Sequence, residues 1–89
     1  MVDDEQDSRR KEISRWLVAW TEQNAIPRTL PEDSKPCIEA IDRKADCLAD
    51  ANEFGYSEEE LCAVDFVEGD LGMFFDGVLR KKFFGNTAR

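Results

Sequence analysis

The sequence predicts an all-α single domain, a small bundle of three helices or of four if the last one is kinked. Three observations carry that prediction. Apolar residues recur at helical spacing over three long stretches. Capping residues and turn glycines punctuate those stretches. No segment shows the alternation of a half-buried strand.

The first stretch predicts a helix from Ser8 to Asn24. Ile13, Trp16, Leu17 and Trp20 fall at i, i+3, i+4 and i+7, and so share one face. Arg9, Arg10 and Lys11 oppose the helix dipole at its start, and Asp3, Asp4, Glu5 and Asp7 just upstream offset them. Residues 1–7 are read as a frayed acidic terminus, 8–85 as the domain, and 86–89 as a frayed C-terminus. The two tryptophans are expected to anchor the core, with a ligand or partner role as the alternative.

Residues 25–35 form the long connection, where Pro27 and Pro31 prevent a helix. Ile26 and Leu30 are expected to pin it to the core. It is the segment expected to move most.

The stretch from Pro36 to Phe54 is the most strongly helical. Ser34 or Asp33 suits the N-cap, Pro36 the first turn and Gly55 the position after the end. At about 100° per residue, Glu39, Asp42, Arg43, Asp46, Asp50 and Glu53 gather in one sector. Most of the remaining circumference is apolar or small. An arc that wide predicts a hub touching two other helices.

Ser57-Glu58-Glu59-Glu60 reads as a capping box, with Tyr56 and Leu61 placed for a hydrophobic staple. The helix it opens is expected to reach about Phe84, because Leu61, Val64, Val67, Leu71, Phe74, Phe75, Val78 and Leu79 hold one register. Gly69, Gly72 and Gly77 weaken it by about 1 kcal/mol each. Asp70 is placed to cap a helix restarted after a kink at Gly69. Arg80, Lys81 and Lys82 suit the final turn, and Gly85-Asn86 its end. On the opposite side Cys62, Phe66, Gly69, Met73 and Gly77 form a second stripe. It either packs on the first helix or the 25–35 connection, or stays exposed to hold a partner or a second copy.

Charge bounds the partners. The chain carries −8 over 89 residues, and residues 32–60 hold ten acids against three cations. Direct binding to nucleic acid or an anionic membrane is disfavoured, and a basic protein partner favoured. The N-terminus has no apolar signal core, no apolar run approaches the ~18 residues of a membrane span, and three widely spaced cysteines read as reduced thiols. The expected location is cytoplasmic.

No chemistry-bearing motif stands out. Histidine is absent, and Cys37, Cys47 and Cys62 lack metal-ligand spacing. The run from Asp65 to Asp76 departs from a calcium loop at Val67, Gly69 and Asp70. No enzyme activity, cofactor or metal is expected.

Ala45-Asp46-Cys47-Leu48-Ala49-Asp50-Ala51, then Gly55, Ser57-Glu58-Glu59-Glu60-Leu61 and Val67-Glu68-Gly69-Asp70-Leu71 resemble a family of small rhizobial (alphaproteobacterial) helical proteins, a domain of unknown function. The resemblance spans about residues 45–79, and Trp16 looks like part of that family's first helix. It implies an all-helical, bacterial, cytosolic protein and no particular activity.

The leading functional expectation is a small acidic interaction or regulatory module that binds a protein or itself. Its candidate contacts are Cys62, Phe66, Gly69 and Met73, with Asp42, Asp46 and Asp50 as an acidic ridge. The alternatives are an acidic inhibitor that imitates nucleic acid, a chaperone for a basic client, and a small-ligand carrier or enzyme using a pocket near Trp16 and Trp20.

Overall fold

Helical periodicity and local capping build four α-helices in the computed structural model, which describes residues 2–85, with side chains from residue 7 onward. They are α1 (Val2–Asn24), α2 (Ile38–Glu53), α3 (Glu58–Cys62) and α4 (Leu71–Gly85), with a 3₁₀ turn over Asp65–Val67. The described residues contain no strand. Helix α2 packs on α4, and α1 packs on α3. Among the described residues no helix is long and apolar enough to cross a membrane. Residues 86–89, read as a frayed end, lie outside the described set.

Helix α1 begins at Val2, ahead of the Ser8 start that the apolar pattern marks. Residues 2–7 thereby fall inside the helix rather than before it. Ile13, Leu17 and Trp20 are buried, and Trp16 is half-buried.

The connection that follows is held by polar contacts rather than by its apolar residues. Ile26 and Leu30 are exposed, and Ala25 is the buried member. Glu39 accepts from the Arg28 amide at 3.0 and 3.2 Å, and Lys82 Nζ donates to the Ala25 carbonyl at 3.0 Å. Arg80 donates to the carbonyls of Ser34, at 2.8 Å, and of Glu32.

Helix α2 starts after Pro36, not at it, and neither Ser34 nor Asp33 caps it. Its N-cap is Cys37, with no side-chain cap of its own. The Cys37 amide donates instead to Asp76 Oδ1 of α4 at 2.9 Å, and the Ile38 amide to Glu32 at 3.3 Å. Asp76 is buried and also accepts from Arg80 Nε at 2.9 Å. Burial opposes its ionisation, but Arg80 and the Cys37 amide outweigh burial and hold its pKa below the ordinary value.

The hub expected of α2 forms in part: α2 packs along α4 and meets α1 only near its C-terminal end, where Trp20 donates to Asp50. Ala40, Cys47 and Ala51 face the core, but Ile38 and Ile41 are 61% and 52% exposed. Small residues on the buried side let α4 approach closely. The other half of the apolar arc is left uncovered.

The capping box at α3 forms as its sequence indicates. The Glu60 amide donates to Ser57 Oγ at 3.2 Å, and the Ser57 amide to Glu60 Oε1 at 3.0 Å. Arg9 adds an ion pair to Glu60 at 2.5 Å. Arg9 and the Ser57 amide together hold the Glu60 carboxyl down to about 2.

The expected last helix is broken. After Cys62 the chain leaves the α conformation, and Glu68 and Gly69 adopt left-handed φ angles of 57° and 84°. The Gly69 amide closes this turn on the Cys62 carbonyl at 3.2 Å. Asp70 then caps α4, its Oδ1 accepting from the Met73 amide at 3.1 Å. Leu61, Val64, Val67, Leu71, Phe75 and Leu79 nevertheless all remain buried. One face therefore survives the break, which is why periodicity alone reads as a continuous helix.

Candidate functional site

The second stripe is not covered by α1 or by the 25–35 connection. Phe66 and Met73 are 40% and 39% exposed, Gly69 and Gly77 lie at the surface, and Cys62 is half-buried. Because the helix breaks, this is a loop-and-helix patch rather than a helix face. The backbone bond between Gly69 and Cys62 gathers residues 62–69 into one turn, and the Phe66 ring meets Phe74 of α4 at 5.3 Å. Phe66 also lines a shallow groove against α1, opposite Arg10, Lys11 and Arg15.

The acidic ridge is partly engaged within the fold. Asp46 pairs with Arg43 at 3.0 Å, and Asp50 Oδ2 accepts from Trp20 Nε1 at 2.6 Å. Asp42 is exposed. Two of the three ridge carboxylates thus have a partner within the fold.

A third surface was not singled out by the sequence pattern. Ile38, Ile41, Ala45 and Ala49 recur at i, i+3, i+7 and i+11 on the outer side of α2, and all four are exposed. The only signal for it was the unusual width of the α2 apolar arc, which reads equally well as a two-sided core contact.

Two of the three cysteines are poorly placed for chemistry. Cys37 and Cys47 are buried and Cys62 half-buried. Burial pushes the Cys47 thiol up to about 12, and burial also raises Cys37, with Asp76 adding to it. A thiol held that far above neutrality supplies almost no thiolate nucleophile. Among the described residues no group of three or more Cys, Asp or Glu is arranged to hold a metal ion.

The aromatics form a continuous string. Phe54 meets Tyr56 at 6.0 Å, Tyr56 meets Trp16 at 5.6 Å, and Trp16 meets Trp20 at 6.5 Å. Trp20 then reaches Phe75 at 5.6 Å, and Phe75 reaches Phe74 at 5.2 Å. Tyr56 is fixed at its far end by donating to Glu12 at 2.5 Å.

No protein-family model, curated protein or solved structure matches this chain. The functional reading therefore rests on these surfaces alone. Two of them are apolar and open, and the acidic one is partly satisfied from within.

Proposed function

We propose that this chain is a small acidic, non-enzymatic interaction module that engages a protein partner, or a second copy of itself, through apolar surface its own helices leave open. The observation that carries the reading is the outer face of α2, where two isoleucines more than half exposed stand on a well-formed helix. Isolated exposed apolar residues are ordinary, but a row at helical spacing is the pattern of a helix-docking seam. The Phe66 and Met73 patch is a second such surface. The net charge of −8 favours a basic partner over nucleic acid or an anionic membrane.

The test compares the wild type with an Ile38→Asp/Ile41→Asp double variant. Both side chains are exposed, so the variant is expected to fold, which circular dichroism checks. The wild type is expected to show concentration-dependent association in sedimentation, or to retain a partner from its host that the variant releases. A wild type that stays monomeric at high concentration, and retains nothing the variant does not, contradicts the proposal.

A further inference from the structure

We propose that the crevice between the C-terminal ends of α1 and α2 binds an organic cation, seated against Trp16 and Phe54 with Asp50 and Glu53 beside it. The crevice has a volume of about 370 Å³ and shares no lining residue with the Phe66 groove. The inference stands apart from the α2 docking face, because neither Ile38 nor Ile41 lines it.

Three of its eight lining residues are aromatic, Trp16, Trp20 and Phe54, and the uncharged remainder is Ala19, Gln23 and Asn24. The Trp16 ring lies 5.7 Å from Phe54 at an interplanar angle of 53° and 6.5 Å from Trp20 at 28°. Phe54 is 62% exposed although two neighbouring rings hold it, so it presents a face to solvent rather than filling the core. Aromatic faces carry negative potential and attract ammonium and guanidinium groups.

The electrostatics have one sign. Asp50 and Glu53 line the crevice, and no lysine or arginine does. The bond from Trp20 Nε1 engages Asp50 Oδ2 and orients the indole. Asp50 Oδ1 and Glu53 accept no hydrogen bond among the described residues, so both retain acceptor capacity for a ligand. Helices α1 and α2 both end here, at Asn24 and Glu53, and neither carries a basic residue in its last turn. Several carbonyls at these ends already accept backbone or side-chain N–H groups, so the two ends add a weaker negative field than open helix ends. Lys82 reaches the Ala25 carbonyl beyond the end of α1 but does not line the crevice.

These features select the ligand class. An anion meets two carboxylates and two helix C-termini. A neutral apolar group strips water from the carboxylates and returns nothing. A cation satisfies both the aromatic faces and the carboxylates. The same chemistry is offered by a small quaternary ammonium compound and by an arginine side chain of a partner protein.

Tryptophan fluorescence and ¹H–¹⁵N spectra of the full chain, titrated with paired probes, test this. Choline is set against its neutral isostere 3,3-dimethylbutan-1-ol, and N-acetyl-arginine amide against N-acetyl-citrulline amide. At least one cation is expected to bind saturably in the millimolar range, its neutral isostere about tenfold more weakly. Whichever cation binds more tightly identifies the source. Phe54→Ala, at an exposed position, is expected to weaken binding about fivefold, and Glu53→Gln severalfold, with the fold unchanged by circular dichroism. Equal binding of cation and isostere, no saturable response to either cation, or wild-type affinity in Phe54→Ala would overturn the proposal.

Discussion

The starts of α3 and α2 solve one problem in opposite ways. Each helix opens with backbone amides that lack an intrahelical partner. At α3 the answer is local: Ser57 and Glu60, three residues apart, cap each other's amides. At α2 the answer comes from 39 residues away, where buried Asp76 on α4 receives the Cys37 amide. Arg80 neutralises that carboxylate and also clasps the carbonyls of the incoming connection. The local cap supplies two hydrogen bonds to one short helix. The remote cap ties together α2, α4 and the connection, so its loss should be felt by all three.

Asp76→Ala should therefore be the most damaging change, costing about 3 kcal/mol, because it leaves Arg80 Nε and the Cys37 amide without their acceptor. Urea denaturation measures it. A loss no larger than that of a surface cap would erase the distinction between the two helix starts. Ser57→Ala should cost only about 1 kcal/mol. Hydrogen exchange should show its effect concentrated in residues 57–62, whereas Asp76→Ala should expose amides in both α2 and the connection.

Acid should weaken both starts in the same direction. The Glu60 carboxyl is held at about 2, below its ordinary 4.5. Its contribution is complete above pH 4.5 and is lost as pH falls toward about 2. Asp76 is also lowered, so its contribution has the same sign and fades on acidification. Arg9→Met should remove much of the Glu60 part of this dependence while leaving the Asp76 part, which separates the two in a pH series of thermal melts.

The smallest expected effect lies on the platform that carries the remote cap. A Cβ at Gly77 meets nothing within 4 Å, so Gly77→Ala should raise stability by about 0.5–1 kcal/mol. At Gly72 a Cβ would lie in ordinary van der Waals contact, 3.4 Å from Asp70 Oδ1 and 3.5 Å from Pro36 Cγ, so Gly72→Ala should fit without a clash and gain at least as much. A clear loss for Gly72→Ala in thermal melts would contradict that ordinary contact between α4 and the residues before α2.

What was legible in the chain follows the same division. The capping box, the Asp70 cap and the glycine after α2 involve neighbours in sequence, and they appear where their residue types indicate. The buried apolar face of residues 61–79 was equally legible, though the helix beneath it was not continuous. Periodicity reports which side chains turn inward, and a 3₁₀ turn followed by two left-handed residues can keep the same side chains inward. The patch at Cys62, Phe66, Gly69 and Met73 was visible as a stripe, but its exposure was not. Ile26 and Leu30 looked like anchors only because apolar residues in a connection commonly are. Here Glu39, Arg80 and Lys82 hold that connection by its backbone.

By itself, then, the sequence determined the helical class, the approximate range of α2, the acidic balance and the local caps of α3 and α4. These depend on local backbone preference and on charge, both of which act over a few residues. Tertiary structure alone decided which half of the α2 apolar arc is covered and where Asp76 finds its partners. It also brought Trp16, Asp50 and Phe54 to one crevice. Those outcomes depend on how separate helices pack. A small domain has too little interior to bury every apolar face that its helices offer.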